Sequence, residues 1–165
     1  MGLFDKLFGK KEEINPNHIY APMAGEAVAI SEVPDPTFSS GMLGNGIAIK
    51  PTDGKVYAPV NGTVDTMFET GHAVSLISDN GIEILIHVGL ETVGLNGAPF
   101  QIKCQNGQKV KKGDLLFIAD LEAIKVAGLP TITPVLVCNS DDYTTFNTIV
   151  GKTVTNDDVV IELGK

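Results

Sequence analysis

The chain has 165 residues, 43% of them hydrophobic and only 6% aromatic with no Trp, enough for one domain whose core is filled by small side chains. Twelve basic against 20 acidic residues leave a formal charge of −8 and no basic patch, which argues against a nucleic-acid partner and for a basic protein partner. The two cysteines, Cys104 and Cys138, follow no secretory signal and are expected as free thiols in a reducing cytoplasm, and no apolar run approaches the roughly 18 residues that span a bilayer.

At the start of the chain, Leu3, Phe4, Leu7 and Phe8 fall on one helical face, with Lys6, Lys10 and Lys11 supplying charge. So short a piece could make only weak contact with an anionic membrane surface through residues 2–11, and a leader without any role accounts for it equally well. Residues 1–18 are expected as amphipathic leader and linker, and residues 19–165 as a single domain. Eighteen Gly and nine Pro, scattered between short apolar runs, predict an all-β protein, an antiparallel β-sandwich or barrel-sandwich hybrid with at most short helices. Tyr20-Ala-Pro-Met-Ala-Gly25 recurs as Tyr57-Ala-Pro-Val-Asn-Gly62, a 37-residue offset that suggests two similar β-units packed face to face. Between them, Val33-Pro-Asp-Pro36 reads as a turn or loop, and Gly44–Pro51 as a strand ended by Pro. Further strands are expected over Phe100–Cys104, Leu115–Ala119, Thr131–Asn139 and Val159–Leu163, with Gly107–Gly113 a polar turn. Leu121–Val126 is the one short helix, and Tyr143–Ile149 is ambiguous.

The centre of the chain is a hairpin. Two alternating runs, His72–Ser78 and Ile82–Val88, flank Asp79-Asn80-Gly81, a strong short-range turn signal. A two-residue loop on Asn80-Gly81 sets His72 opposite Gly89 and Val74 opposite His87; one on Asp79-Asn80 sets His72 directly opposite His87. Either register puts both histidines on one face, and only an odd-length loop or a bulge separates them. On this expectation Ile82, Ile84, Ile86 and Val88 share the core side with Ala73, Ser75 and Ile77. The other side carries His72, Val74, Leu76, Glu83, Leu85 and His87. Two histidines in an apolar apron suggest a protein-docking surface around Val74, Leu76 and Leu85.

These motifs resemble the glucose-type IIA component of the bacterial phosphoenolpyruvate-dependent sugar phosphotransferase system. The resemblance runs through Ala21-Pro-Met-Ala-Gly-Glu26, Gly46-Ile-Ala-Ile-Lys-Pro51, Ala58-Pro-Val-Asn-Gly-Thr63 and Phe68-Glu-Thr-Gly-His-Ala73. It continues through His87-Val-Gly-Leu-Glu-Thr-Val93, Gly107-Gln-Lys-Val-Lys-Lys-Gly-Asp114 and Thr133-Pro-Val135. It implies a phosphohistidine carrier, a phosphotransferase component that needs no cofactor. In such a carrier His87 accepts a phosphoryl group from the carrier protein HPr and passes it to a cysteine of a sugar-permease IIB domain. The resemblance also implies that His72 steadies the phosphoryl group and that the Thr70 hydroxyl orients the His72 ring. Glu91 stands where many members have Asp and adds to the docking set, and Asn96 replaces a commonly seen lysine. Such a protein is expected in the cytoplasm, peripheral at the inner face of the membrane if the leader binds there, and regulatory protein partners are known for some members.

Two rivals explain less. In a biotinyl or lipoyl carrier domain Lys125, in Glu122-Ala-Ile-Lys-Val126, would be the modified residue, but the paired histidines would have no purpose. A zinc hydrolase would use His72 and His87 as ligands, yet a catalytic zinc needs a third, and only Glu83 or Glu91 is near in sequence. Zinc captured incidentally by the histidine pair requires no hydrolysis.

Overall fold

A computed structural model describes residues 14–165, so the amphipathic leader face of Leu3, Phe4, Leu7 and Phe8 lies outside the described residues. Fourteen strands follow, all paired antiparallel: β1 (His18–Tyr20), β2 (Gly25–Ala29), β3 (Asn45–Pro51), β4 (Lys55–Tyr57), β5 (Gly62–Met67), β6 (Ala73–Ser78) and β7 (Glu83–His87). The remainder are β8 (Phe100–Ile102), β9 (Lys109–Val110), β10 (Leu115–Ala119), β11 (Thr133–Val137), β12 (Thr145–Thr148), β13 (Lys152–Val154) and β14 (Val159–Gly164). An eight-stranded sheet runs β13-β2-β3-β11-β7-β6-β5-β9, and two three-stranded sheets run β1-β14-β12 and β4-β10-β8. The all-β expectation holds.

The repeated motif is a structural duplication. Tyr20 ends β1 and Tyr57 ends β4; each is followed by Ala-Pro-x-x and a new strand starting at Gly25 or Gly62. The two copies grip each other reciprocally: the Tyr20 N–H donates to the Pro59 carbonyl at 3.0 Å and the Tyr57 N–H to the Pro22 carbonyl at 2.7 Å. The correspondence continues where the sequence shows no obvious repeat. Gly25 pairs with Val154 as Gly62 pairs with Val110, and Tyr20 with Val159 as Tyr57 with Leu115. The polar stretch after Gly107 therefore has its counterpart after Gly151. In both, an aspartate closes the turn by accepting a backbone N–H three residues back, Lys111 to Asp114 and Thr155 to Asp158, each at 2.8 Å.

The central hairpin departs from both expected registers. Its loop has three residues, Asp79-Asn80-Gly81, closed by Ser78 N–H on the Ile82 carbonyl at 2.8 Å. The ladder then matches Ala73 with His87, Val74 with Ile86 and Leu76 with Ile84. Because successive side chains alternate, this one-residue difference turns every β6 side chain to the opposite face. Val74 and Leu76, expected on the docking apron, are 0% and 1% exposed and pack in the main core with Ile82, Ile84 and Ile86. Ile77, expected in the core, is 42% exposed. Val74 and Leu76 are core residues and cannot touch a partner.

The outward face carries Ala73, Ser75, Leu85 and His87, and continues into a second apolar cluster. Val28, Ala48 and Leu136, outward residues of β2, β3 and β11, are covered there by Val33 and Phe38. Phe38 belongs to α1 (Pro36–Ser39), a one-turn helix that follows directly on the turn expected over Val33–Pro36. Asp35 caps it by accepting the Thr37 N–H at 3.0 Å, and Pro36 takes its first position. The second helix, α2 (Leu121–Val126), has the expected bounds and is capped by the Asp120 side chain. No helix among the described residues is long and apolar enough to cross a membrane.

Candidate active site

Both histidines sit where the central hairpin stops being regular. His87 is the last residue of β7 and faces outward; His72 immediately precedes β6, with its carbonyl accepting the Val88 N–H at 2.8 Å. The ladder register alone would leave the two rings on opposite faces. They nevertheless meet, centroids 4.9 Å apart and planes at 81°, because the chain leaves the sheet at both positions. Gly71 (φ 71°) and Gly89 (φ 75°) supply left-handed bends beside each histidine. Neither has room for a side chain: a Cβ would lie 2.6 Å from Phe100 Cβ at Gly71 and 2.6 Å from Thr92 Cγ2 at Gly89.

Each ring is held at Nδ1. Thr70 Oγ1 is 2.7 Å from Nδ1 of His72, and Nδ1 of His87 is 2.8 Å from the Gly89 carbonyl oxygen. A carbonyl can only accept, so His87 carries its proton on Nδ1 and presents a lone pair at Nε2. Aromatic walls complete the site: Phe38 packs 4.8 Å from the His87 ring, and Phe68 meets His72 edge-on at 5.5 Å. His72 is 4% exposed, whereas His87 remains partly open to solvent.

This packing keeps both rings neutral. Burial, and secondarily the neighbouring His87, push His72 down to about 4. Burial also lowers His87, opposed by its hydrogen bond to the Gly89 carbonyl and more weakly by the Asp35 carboxylate. Two depressed histidines make stability pH-dependent with a definite sign. For His72, between the ordinary histidine value of 6.5 and about 4 the unfolded chain binds more protons than the folded one, so stability falls as pH drops through that window, and His87 acts with the same sign below 6.5. His72→Gln is expected to flatten this acid-side decline, read as unfolding midpoints from pH 7 toward pH 4. An unchanged slope would mean that His72 is not held neutral.

The other expected site residues are scattered. Leu85 lies half-buried beside the outer cluster, and Glu91 is exposed with left-handed backbone (φ 60°). Glu91 shares an open groove with Pro34, Asp35, Pro36, Leu90 and Pro130. The exposed large apolar residues nearest the pair in the chain are Phe68, Ile77 and Val93. Asp35 and Phe38 were missed as neighbours of His87. Asp35-Pro36 is a legible helix start, but nothing local says that this turn folds over β7. Lys125 takes the last turn of α2, and among the described residues no group of three or more His, Cys, Asp or Glu side chains could hold a metal. Cys104 and Cys138 are free, as expected.

The model of the family described as phosphoenolpyruvate-dependent sugar phosphotransferase system, EIIA 1, matches residues 17–143. A PTS system glucose-specific EIIA component of Staphylococcus epidermidis is 46% identical over 140 residues, 84% of each chain. Its counterpart in Bacillus anthracis is 46% identical over 153 residues, 93% of each. The solved glucose permease IIA from Mycoplasma capricolum superposes with a TM-score of 0.81 at 34% identity, covering 87% of this chain and 94% of that one. These likenesses support neither the biotinyl carrier nor the zinc hydrolase. With two facing histidines at the rim of the same antiparallel fold, the chain belongs to the EIIA 1 family of the phosphoenolpyruvate-dependent sugar phosphotransferase system and is a sugar IIA phosphocarrier.

Proposed function

We propose that Nε2 of His87 is the phosphoryl acceptor, charged by phospho-HPr and discharged onto a cysteine of a IIB domain. The observation that carries this reading is the Nδ1–H bond to the Gly89 carbonyl, which leaves a lone pair on the partly open Nε2 of a neutral ring. On uptake that lone pair forms the N–P bond as the bond from phosphorus to HPr breaks, its electron pair leaving with HPr. On delivery the cysteine thiolate attacks phosphorus and the N–P pair returns to His87. Phosphoryl transfer asks the protein mainly for in-line positioning and charge stabilisation. With the Thr70 hydroxyl donating to Nδ1, His72 keeps its proton on Nε2 and offers it to a phosphoryl oxygen. Leu85, Phe68, Val93 and Glu91 are the surface on which HPr, the IIB domain and any regulatory partner would dock. Zinc captured by the histidine pair would have only two ligands from this site and would be completed from outside. On this reading the protein works in the cytoplasm, and membrane contact through residues 2–11 would be peripheral.

The test is incubation with phosphoenolpyruvate, enzyme I and HPr, followed by peptide mapping of acid-labile phosphate. One phosphoryl group is expected, on the peptide containing His87. Label on the His72 peptide instead would overturn the assignment.

A further inference from the structure

Thr92 opens the 3-10 turn Thr92–Leu95 and is a polar side chain with 0% exposure, a placement that needs a reason. Its hydroxyl donates to the Val88 carbonyl at 2.5 Å, the first carbonyl beyond the end of β7. The neighbouring backbone is pinned on both sides: the Val88 N–H donates to the His72 carbonyl at 2.8 Å, and the Leu90 N–H to the Pro130 carbonyl at 3.2 Å. Gly89, between them, lies so close to the Thr92 methyl and the Pro130 carbonyl that a Cβ there would be 2.6 Å and 2.8 Å from them. The left-handed Glu91 makes the reversal that brings Thr92 back over Val88. The carbonyl held by this clamp is that of Gly89, the acceptor for Nδ1–H of His87.

We propose that Thr92 is a positioning residue for the phosphoryl acceptor: its buried hydroxyl, anchored on Val88, holds the Gly89 carbonyl against Nδ1 of His87 and so decides that Nε2 is the nitrogen that reacts. This rests on His87 being the acceptor, as proposed above. Which imidazole nitrogen bears the proton is set by the hydrogen bond the other one makes or lacks. With the carbonyl released, the ring samples both tautomers and rotates, and the fraction presenting a lone pair to the incoming phosphorus falls.

Thr92→Val keeps the branched shape and removes the donor; Thr92→Ser keeps the donor and removes the methyl. Nitrogen-15 NMR of the His87 imidazole at neutral pH reads the tautomer directly. Wild type and T92S are expected protonated at Nδ1, T92V as a mixture. Phosphoryl uptake from phospho-HPr is expected to fall about 10²-fold in T92V, the scale of a misplaced reacting group, while T92S retains most of it. A T92V protein with unchanged tautomer, whatever its rate, overturns the proposal, as does a T92S protein whose tautomer is lost with its hydroxyl intact. The T92S arm decides if T92V fails to fold. Absence of uptake by the wild type would defeat the acceptor assignment while leaving the tautomer comparison to judge Thr92.

Discussion

Phosphoryl uptake from phospho-HPr is expected to disappear in His87→Gln. Glutamine occupies a similar volume and can still hydrogen-bond near the Gly89 carbonyl, so the fold and the Phe38 wall should survive, but its amide nitrogen is not a nucleophile. The neighbouring ring cannot take over: His72 is 4% exposed and its Nδ1 is engaged by Thr70. Removing the proposed nucleophile is expected to reduce the rate by at least about 10³-fold, to the level of unspecific transfer. The measurement is incorporation of labelled phosphate under conditions that saturate the wild type. Stoichiometric label on H87Q would show that another nitrogen is the acceptor.

His72→Gln is expected to behave differently. The acceptor and its carbonyl partner remain, so H72Q should still be phosphorylated on His87. Delivery to the IIB cysteine should fall by about 10²–10³-fold, the usual consequence of removing one preorganised donor from a developing charge. The rings are close enough for this, with centroids 4.9 Å apart and planes nearly perpendicular. The division of labour itself is what the family resemblance implies; the geometry supplies the proximity. Single-turnover transfer to the IIB domain from pre-phosphorylated H72Q, compared with wild type, separates delivery from uptake. Equal delivery rates would leave His72 without a role in the chemistry.

Much of the architecture is legible in the sequence. Gly and Pro spacing announced the all-β class, the Ala-Pro-x-x-Gly repeat announced a duplication, and the absence of turn residues over Leu121–Val126 gave that helix its bounds. These are local properties, carried by backbone preferences within a few residues. The second half of the duplication was not legible, because Lys109–Val110 and Lys152–Val154 are too short and polar to read as strands. Their place is set by pairing with β5 and β2.

The hairpin shows where local information stops. Alternation in β6 and β7 establishes two faces for each strand, but which β6 face joins the core depends on parity, and parity depends on whether the loop has two residues or three. Asp79-Asn80-Gly81 is compatible with both. The choice is made by tertiary packing: Val74 and Leu76 bury against the main core, while a residue as apolar as Ile77 is left outside. The sequence by itself determined that two histidines flank one hairpin. That their rings touch was decided by backbone bends at Gly71 and Gly89, and their environment by Phe38 arriving from a segment more than 30 residues earlier. A strand's pattern constrains its own faces, whereas proximity at strand ends depends on how separate segments close over the sheet, and only the folded chain contains that.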